Sequence, residues 1–575
     1  MIYNLINKTP RIDETLLERV LKNRGIKDLN MYVSTPQEKE ISYKALDERQ
    51  VMEVCSIIIE RCVWTPKPEK ILILVDCDVD GLTSSAILYQ YLKSIRSDIE
   101  IELVHHTGKQ HGLSPDVLDT IIKSDATIII VPDAGSSDYR EHELLSKEGK
   151  TVIVLDHHEC NKYSEHAVVV NNELSKDYNG SISGAGVVYK VCQAMDEYIG
   201  LEGDELVAPR FLDLVALGNI GDGINLHNLD TRYLVQQGLS NVHNELMRAI
   251  IEKQSYSMGG VTNITTVGWY VAPLLNAVVR AGTQEEKEKM FAGFISDDEE
   301  FCKEVANMCA TVKRRQDNAV KKSLTAIQNL IDEQGLADDN VVIADATGLM
   351  SNEVVGLIAN KLMGIYKKPI LLLHSVNDKE VLYGSCRAPR ALGNFKAICS
   401  KTEEFEFCEG HGSAFGVGIK EANISSAKAL INEALSGFEM SDTGSYDVDA
   451  VVMLGEIRER DILEIGALGS VWGNGIDEPL FLIKGVKINS SKIELIGSKK
   501  NTIKFTSRSG MEFIKFFAGQ AQYMAMTMQS EDTFGDNDLI LDLVCKFKVN
   551  EWQGNVKPQI EIVDYNVKLD EMSFF

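Results

Sequence analysis

Residues 71–81 read ILILVDCDVDG, five apolar residues followed directly by a cluster of aspartates and a glycine. Two similar apolar runs follow, TIIIV at 127–131 and TVIVL at 151–155. Short, continuous runs rich in β-branched residues are typical of strands that are buried on both faces. Because helical stretches separate the three runs, the pattern predicts a parallel α/β sheet.

Each of the three runs is followed by ionisable residues. They are Asp76, Asp78 and Asp80 after the first run, Asp133 after the second, and Asp156, His157 and His158 after the third. Ligands of an open parallel sheet bind beyond the carboxyl ends of its strands, so these side chains are expected to converge on one crevice. Asp222, in ALGNIGDG at 216–223, is a further acidic residue that can complete the set.

Carboxylates and imidazoles that face one another at close range repel unless a cation lies between them. Carboxylate-rich sites with some imidazole suit Mn²⁺ or Mg²⁺, and two such ions about 3.5–4 Å apart can activate a water and stabilise the leaving oxygen of a phosphodiester. Taken singly, Asp133 is interpretable as a helix N-cap, Asp80 as part of a turn, and the two histidines as surface residues. Their joint occurrence at three strand ends favours a site for two Mn²⁺ or Mg²⁺ ions.

The length, net charge and cysteine pattern of the chain limit the classes of protein to which it can belong. A chain of 575 residues is long enough for about three or four domains, and its net charge of −26 argues against general attraction to polyanions. Any nucleic-acid substrate therefore requires local positive charge. The start, MIYNLINKTPRIDE, lacks the features of a signal peptide, no apolar run approaches a membrane span, and the 11 cysteines form no C-x-x-C pair. We expect a cytoplasmic protein with reduced thiols and no membrane association.

Changes of pattern along the chain predict an α/β multidomain protein with five segments. These are a helical leader over 1–65, an α/β domain with a helical connector over 66–335, a smaller α/β domain over 336–440, a connector over 441–479, and an all-β barrel over 480–575. The barrel is predicted from six short runs, beginning with LFLIKGVKI and ending with PQIEIVDY, that are separated by turns.

These motifs resemble those of the DHH phosphoesterase superfamily, and the wider pattern is similar to that of RecJ single-strand exonucleases. The likeness continues through SGAGVVYK and NAVVR in the first half, and through SNEVVGLIANKL, YGSCR and GHGSAFG in the second α/β segment. WGNGIDEP and NEWQGNVKPQ also look RecJ-like. The resemblance implies a parallel-sheet DHH catalytic domain, a smaller DHH-associated substrate-binding domain, and a C-terminal OB-like barrel.

The resemblance also implies roles for individual residues. Metal binding falls to Asp76, Asp78, Asp80, Asp133, Asp156, His157 and Asp222, and the catalytic residues are Asp80, Asp133, Asp156 and His158, the last as an acid or a phosphate contact. Which of the three aspartates in DCDVDG ligate a metal is left open. Substrate contacts are implied for His106, Arg280, Arg387, Gly410, His411 and Gly412, with a surface ion pair as the alternative for Arg387.

Two positions depart from the family pattern. His106 stands where the family usually places an arginine, and Leu274 occupies a second position where arginine is common. Both changes are expected to weaken the grip on phosphate, or to mark a divergent branch with altered substrate preference.

The C-terminal barrel is expected to bind single-stranded DNA through a basic groove and aromatic stacking. Candidate nucleic-acid contacts are Lys504, Arg508, Lys515 and Trp552, and basic residues interleave with Phe505, Phe513 and Phe516. The alternative is that the aromatic residues form the barrel core and the lysines are solvated edge charges. The final residues, LDEMSFF at 569–575, are a candidate docking tip for replication or repair proteins.

The resemblance implies a metal-dependent exonuclease that hydrolyses single-stranded DNA from 5′ to 3′, releases mononucleotides, and serves DNA recombination and repair. Two other functions stay open, a DHH phosphodiesterase for short oligoribonucleotides or cyclic dinucleotides, and a non-catalytic DNA-binding scaffold. The length of the chain and the added barrel argue against a phosphodiesterase for short oligoribonucleotides or cyclic dinucleotides. The complete set of metal ligands argues against a non-catalytic scaffold.

Overall fold

The structure of the chain is a computed structural model. It describes residues 2–7, 14–33, 41–106, 110–175, 178, 180–375, 380–389, 392–436, 445–497, 500–507, 509–527, 538–552 and 555–568. Within those ranges no helix has the length and apolar character needed to span a membrane. All of the cysteines are free thiols.

The N-terminal segment begins with a strand, where the sequence predicted helix. Strand β1 (Ile2–Leu5) pairs in parallel with Ser445–Val448, more than 400 residues along the chain. Helices Leu16–Asn23 and Leu29–Val33 follow, and their buried residues belong to the core of the C-terminal sheet. Helix Glu48–Ile58 instead packs on the first α/β core. A pairing partner so distant in sequence leaves no local signal, which is why the polar leader suggested only helix.

Five parallel strands form the first sheet; three of them are the predicted apolar runs, and the two edge strands were not predicted from the sequence. They are β2 (Ile71–Val75), β3 (Ile101–His105), β4 (Ile128–Pro132), β5 (Thr151–Asp156) and β6 (Ala167–Asn171). Their order across the sheet is β3-β2-β4-β5-β6, and every neighbouring pair is parallel. The direction of winding reverses between β2 and β4, so a ligand crevice is expected at the carboxyl ends of these two strands.

Helices cover both faces of this sheet because alternate strand residues point to opposite sides. One face packs against helices Glu48–Ile58, Val79–Ile95, Gly184–Ile199 and Leu212–Gly221. The other face packs against helices Pro115–Lys123 and Tyr139–Lys147. The strands are thus buried on both sides, and only their ends are free to carry ionisable groups.

A helical connector follows the sheet, as expected from the sequence. Its α-helices are Leu229–Ser240, Glu245–Gln254, Ile264–Thr266, Ala272–Ala281, Gln284–Phe294 and Glu299–Glu333, with a π-helical turn at Val267–Val271. The last helix has 35 residues. Its first half is buried in the first α/β core and its second half in the core of the next unit, so one rigid element joins the two lobes.

The second lobe is a five-stranded mixed sheet. Its strands are β7 (Val342–Asp345), β8 (Ile370–Ser375), β9 (Val381–Arg387), β10 (Phe405–His411) and β11 (Ala414–Lys420), in the order β10-β11-β9-β8-β7. Helix Val355–Tyr366 connects the parallel pair β7 and β8, and the other pairs are antiparallel. Helices Phe395–Lys401 and Ile424–Ala434 complete the unit.

The C-terminal part is a seven-stranded sheet that contains all six predicted runs. Strand β12 (Ser445–Val448) pairs with β1 outside this sheet. The seven strands of the sheet are β13 (Ala450–Met453), β14 (Phe481–Asn489), β15 (Glu494–Ile496), β16 (Thr502–Thr506), β17 (Glu512–Lys515), β18 (Asp538–Trp552) and β19 (Asn555–Lys568). The order is β13-β14-β18-β19-β17-β16-β15. Helices Glu459–Gly466 and Gln520–Thr527 accompany the sheet.

The central strand β4 supplies a direct test of this core. Ile130 is fully buried, so Ile130→Ala leaves a cavity between the sheet and its helices. We expect the free energy of unfolding of this lobe to fall by about 2–5 kcal/mol, measured by urea denaturation. Ile365→Ala, at a side chain that is 49% exposed, is the matched control and should change it by less than about 0.5 kcal/mol. Equal stabilities for the two variants would contradict the assignment of β4 to the core.

Candidate metal and phosphate site

The carboxyl ends of the strands bring one imidazole nitrogen close to three carboxylates. His157 Nε2 lies 3.2 Å from Asp133 Oδ1, 3.7 Å from Asp80 Oδ2 and 3.8 Å from Asp222 Oδ2. Asp80 and Asp133 are almost completely buried, and Asp222 follows the last residue of helix Leu212–Gly221. Four of the residues that the sequence predicted as metal ligands therefore meet in one cluster, which we call the metal cluster.

Local backbone structure holds the two buried aspartates in place. Asp80, in the first turn of helix Val79–Ile95, accepts hydrogen bonds from the backbone N–H of Gly184 at 2.7 Å and Ala185 at 3.0 Å. Asp133 adopts a left-handed backbone conformation with φ of 66°, which costs energy for a residue other than glycine and is found mainly at functional sites. It is not a helix N-cap, because the next helix begins at Tyr139.

Gly184 is required beside this pair. A Cβ at Gly184 would lie only 2.3 Å from Asp133 Oδ1, so any larger residue would displace the carboxylate. Such close approach of a backbone to a functional group is a common reason for glycine. The metal cluster thus requires the first glycine of the SGAGVVYK motif, Gly184.

The electrostatics of the metal cluster call for a cation. Burial, and then the charges of Asp80 and Asp78, hold the pKa of Asp133 well above its ordinary value. Burial also raises the pKa of Asp80, and burial together with Asp80 raises the pKa of Asp222 to about 6. These carboxylates cannot all ionise together without a neighbouring positive charge.

The donor set fits Mn²⁺ or Mg²⁺. Asp133 Oδ1 is buried and accepts no hydrogen bond from the described residues, so a lone pair is free for a ligand. Three carboxylates with one imidazole match the preference of these ions for oxygen with some nitrogen. Asp78 stands beside the metal cluster, where one of its oxygens accepts a hydrogen bond from Gly81 N at 2.9 Å. Asp80, Asp133, His157 and Asp222 are the residues that could hold the ions, with Asp78 at their edge.

Asp156, expected as a metal ligand, accepts four hydrogen bonds, and its metal binding stays a prediction. Its Oδ1 accepts hydrogen bonds from His157 N at 2.7 Å, His158 N at 3.1 Å and His158 Nδ1 at 2.8 Å, while its Oδ2 accepts one from Ser136 N at 3.0 Å. Burial opposes ionisation, but these donors bring the pKa of Asp156 well below its ordinary value. With both oxygens occupied, Asp156 orients the two histidines.

The same hydrogen bond acts on His158. Asp156 raises the pKa of His158 to about 9, so the imidazole is protonated at neutral pH. Its side chain is more than half exposed, in contrast to His157, and its ring lies 4.5 Å from the His157 ring. His158 is thus a charged group beside the metal cluster, as an acid or phosphate contact would require.

Asp76 points away from the metal cluster and contacts two other histidines. Its Oδ2 lies 2.8 Å from His111 Nδ1, and its Oδ1 lies 3.5 Å from His106 Nε2. Of the three aspartates in DCDVDG, the structure therefore directs Asp80 into the metal cluster and Asp76 toward His111. Asp76, Cys77 and His111 also bring possible ligand atoms close together, so metal binding by Asp76 stays a prediction.

His106 is corrected as a substrate contact. Its side chain is completely buried, between Asp76 and Asp116, whose Oδ1 lies 3.4 Å from His106 Nδ1. A side chain enclosed in this way cannot touch a substrate. Leu274, at the other position where arginine was expected, is also buried in the core.

His111 is a candidate site residue that the sequence reasoning missed. Its side chain is 55% exposed, and hydrogen bonding to Asp76, and then to Cys77, raises its pKa to about 11. The only sequence signal was its place just before the Gly-Leu turn, since nothing in the sequence joins it to an aspartate 35 residues earlier.

A cleft of about 690 Å³ lies between the first lobe, where Asp78 at the edge of the metal cluster lines it, and the second lobe. Its walls include Asp78, His111, Asn276 and Arg280 from the first lobe and connector, and Asn352, Gly356, Asn360, Ser385 and Arg387 from the second lobe. Arg280 and Arg387 thus line one cleft, as predicted for substrate contacts.

Neither arginine is neutralised by a carboxylate. Among the described residues no Asp or Glu forms an ion pair with Arg280 or Arg387, so the surface ion pair considered for Arg387 is not observed. Burial, and the nearby charge of Arg280, lower the pKa of Arg387. Gly356 leaves room for the guanidinium, because a Cβ there would lie 2.8 Å from Arg387 Nη2. Two unpaired cations in a cleft form a site for phosphate oxygens.

The glycine-rich turn predicted to contact substrate joins β10 to β11 at the edge of the cleft. Gly410 has φ of 123°, and Ser413 and Ala414, directly after the turn, line the cleft. Lys396 stabilises the turn, since its backbone N–H donates to Gly412 O at 2.8 Å and its Nζ donates to Gly410 O at 2.6 Å. The side chain of His411 lies outside the described residues, and the contacts of this turn with substrate stay a prediction.

Two of the residues predicted to form a basic groove on the C-terminal sheet do not present a free positive charge on its surface. Lys515 is buried and donates to Val563 O at 2.7 Å, and burial lowers its pKa. Lys504 is paired with Glu512 at 2.7 Å. Arg508, the side chain of Trp552 and the LDEMSFF tail lie outside the described residues.

The aromatic residues of this sheet follow the alternative interpretation. Phe505 and Phe513 are buried and stack on each other with ring centroids 5.0 Å apart, so they form core. Phe516 is 43% exposed. The alternation of inward and outward residues along a strand places Phe505 and Phe513 inside, which their spacing from the lysines did not reveal.

Two family models match the chain, the N-terminal domain of the DHH family over residues 70–219 and the RecJ OB domain over residues 448–564. YorK, an SPbeta prophage-derived protein of Bacillus subtilis named as a single-strand DNA-specific exonuclease, is 34% identical over 96% of both chains. The single-stranded-DNA-specific exonuclease RecJ of the same organism is 26% identical, over 86% of this chain and 61% of its own length.

The fold agrees with these sequence relationships. The crystal structure of RecJ from Thermus thermophilus in complex with Mn²⁺ aligns with a TM-score of 0.72 at 19% identity, covering 96% of this chain and 76% of that one. Full-length similarity to YorK, matching DHH and OB domain models and a shared fold lead to one assignment. The chain belongs to the RecJ family of the DHH superfamily.

Proposed function

We propose that the chain is a metal-dependent exonuclease that hydrolyses single-stranded DNA from its 5′ end and releases mononucleotides. The observation that carries the proposal is the metal cluster, in which His157 faces three carboxylates, together with the neighbouring cleft that is lined by Asp78, Arg280 and Arg387. The names of the relatives as single-strand DNA exonucleases support the choice of substrate.

The metal cluster, the arginines and His158 have different roles in phosphodiester hydrolysis. Ions bound at the metal cluster would supply an activated water and positive charge for the reacting phosphate. Arg280 and Arg387 bind phosphate oxygens from the facing sides of the cleft and hold the strand end in register. His158 keeps a proton on Nε2, because Nδ1 is engaged by Asp156, and can donate it to the leaving oxygen.

The burial of the metal cluster favours single-stranded DNA over duplex DNA as the substrate. Asp80 and Asp133 are each 1% exposed, and the cleft beside them is bounded by both lobes. A flexible strand end can enter such a space, whereas an intact duplex is held away from the buried carboxylates.

We propose the division that the sequence suggested for the DHH domain with its connector over 66–335 and for the DHH-associated domain over 336–440, with an OB domain that begins at about residue 448 because β13 belongs to its sheet. Action in the cytoplasm, in recombination or repair, is supported by the free thiols of the 11 cysteines. Docking of replication or repair proteins on the tail at 569–575 is tested by deleting those residues and measuring co-purification.

The decisive experiment is Mn²⁺-dependent digestion of a 5′-labelled single-stranded DNA about 30 nucleotides long, beside its duplex and an RNA of the same sequence. We expect immediate release of labelled mononucleotide from the single strand alone, because the label marks the end that enters the cleft. Asp133→Asn should abolish release, since it removes one negative ligand of the metal cluster. Asp98→Asn, at an exposed carboxylate paired with Arg96, is the control and should be fully active.

Other outcomes of this digestion point to other functions. Cleavage of short RNA with intact DNA would favour an oligoribonucleotide phosphodiesterase. No cleavage of any substrate would favour a DNA-binding scaffold.

Metal binding can be tested separately from catalysis through Gly184. We expect saturating Mn²⁺ to stabilise the wild-type protein by about 2.7 kcal/mol at 100 times the dissociation constant, measured as a rise in Tm. Gly184→Ala should lose most of this rise, because its Cβ would displace Asp133. Gly364→Ala, where no atom lies within 4 Å of the new Cβ, should keep it. A normal Mn²⁺ response in Gly184→Ala would remove Asp133 from the ligand set.

The role of His158 is tested by His158→Gln. We expect kcat to fall by roughly 10²- to 10⁴-fold, the usual contribution of a general acid, while the Mn²⁺-induced rise in Tm is unchanged. Because the raised pKa of His158 is about 9, the protonated form is lost as the pH increases through that value. The wild-type rate should therefore decline above about pH 9, and the variant should lack that decline. An unchanged kcat in the variant would rule out the acid role.

A further inference from the structure

Residues 254–279 contain no Asp, Glu, Lys, Arg or His. Because 25% of the chain is charged, about six charged residues would be expected in a stretch of this length. The chain as a whole carries a charge of −26, so most of its surface repels a polyanion. This segment, which we call the uncharged segment, itself contributes no negative charge that would repel a nucleic acid.

Large apolar side chains are exposed along the uncharged segment. Trp269 is 73% exposed, Tyr256 is 98% exposed and Val261 is 53% exposed, whereas Trp472 nearby in the fold is 3% exposed. Tryptophan usually contributes its large apolar surface to a core or an interface, so an indole in solvent needs a reason. Trp269 also lies in the π-helical turn Val267–Val271, a departure from α-helix that often marks a functional site.

The position of Trp269 connects it to the metal cluster. A Cβ on the adjacent Gly268 would lie 3.5 Å from Ile220 Cγ2, two residues before Asp222. The π-helical turn runs directly into helix Ala272–Ala281, which carries Asn276 and Arg280 into the cleft. Seven residues separate Trp269 from Asn276, which is about two helical turns and about 10 Å of rise, so both face a similar side of the helix.

Ile264, five residues before Trp269 in the uncharged segment, lies beside the connector that leads into β14. A Cβ on Gly473 of that connector would lie 3.1 Å from Ile264 Cγ2. The uncharged segment therefore contacts both helix Leu212–Gly221, which directly precedes Asp222, and the connector to the C-terminal sheet.

We propose that Trp269 is a stacking platform for a base of the single strand, a few nucleotides away from the phosphodiester that is cleaved. This inference rests on the proposed function and adds a binding residue to it. Stacking of a base on an aromatic ring is tolerant of sequence, which suits an enzyme that must pass every nucleotide through one cleft. At about 3.4 Å per stacked nucleotide, a separation of about 10 Å corresponds to roughly three nucleotides.

The proposal predicts a defect that depends on substrate length. With a single-stranded 30-mer, Trp269→Ala should raise KM by about 5- to 100-fold with little change in kcat, and Trp269→Phe should restore most of the affinity because it keeps an aromatic face. With a 5′-phosphorylated dinucleotide, which is too short to reach Trp269, both variants should match the wild type.

Trp64 provides a matched control. It is another exposed tryptophan, at 58%, but it precedes β2 and so lies at the amino ends of the strands, across the sheet from the metal cluster. Trp64→Ala should leave KM for the 30-mer unchanged. A Trp269→Ala variant with wild-type KM on the 30-mer would overturn the proposal, and so would an equal defect on 30-mer and dinucleotide, which would show that the residue merely supports the cleft.

A second measurement separates failure of this inference from failure of the proposed function. Oligo(dT) added in EDTA, where no cleavage occurs, should quench the tryptophan fluorescence of the full-length wild type, and Trp269→Ala should lose that part of the quenching. A wild type that shows this difference but cleaves nothing would refute the exonuclease and keep the platform. Quenching that is identical in wild type and Trp269→Ala would refute the platform, whether or not the DNA is cleaved.

Discussion

Repulsion among buried carboxylates is the constraint around which this fold is arranged. Three of them lie within 4 Å of a single imidazole nitrogen, and two of the three are almost inaccessible to water. Such a group is stable only with cations and with a scaffold that resists its separation. The scaffold is the parallel sheet, whose strands are locked by helices on both faces and whose carboxyl ends must meet at one edge.

Glycines and backbone amides adapt the scaffold to this cluster. A Cβ at Gly218 would lie 2.4 Å from Asp80 Oδ1, and one at Gly184 would lie 2.3 Å from Asp133 Oδ1, so neither position accepts a side chain. The N–H groups of Gly184 and Ala185 then solvate Asp80 in place of water. The helix that begins at Gly184 contributes no ligand of its own, yet it supplies the packing surface for both buried carboxylates.

A second layer of carboxylates orients the histidines. Asp156 fixes His158, and Asp76 binds His111 in the same manner, with distances of 2.8 Å in both pairs. A carboxylate that holds one ring nitrogen determines which nitrogen is presented to the reacting groups. The two pairs lie beside the metal cluster and the cleft, so they set the direction of the imidazoles on the wall that substrate meets.

The charge of the protein raises the question of how an acidic chain can attract DNA. The predicted answer, a basic groove on the C-terminal sheet, is weakened by the buried Lys515 and by the pairing of Lys504 with Glu512. Arg280 and Arg387 instead line the cleft, beside Asp78 and Glu353, and form no ion pair among the described residues. The two arginines at the reacting phosphate, together with the uncharged segment beside them, allow the chain to bind a polyanionic substrate in spite of its net charge of −26.

The sequence by itself determined three of the five strands of the first sheet, β2, β4 and β5, and the convergence of the DHH motifs, because a buried parallel strand is a local apolar run and its polar end follows directly in the chain. It likewise indicated the six strands of the C-terminal sheet. The partner of Asp76, the occupied oxygens of Asp156, the burial of His106 and Lys515, and the pairing of β1 with β12 were decided only by the tertiary structure. Each depends on which side chain a residue faces across the fold, and residues that are 35 or 443 positions apart leave no trace of that contact in local sequence pattern.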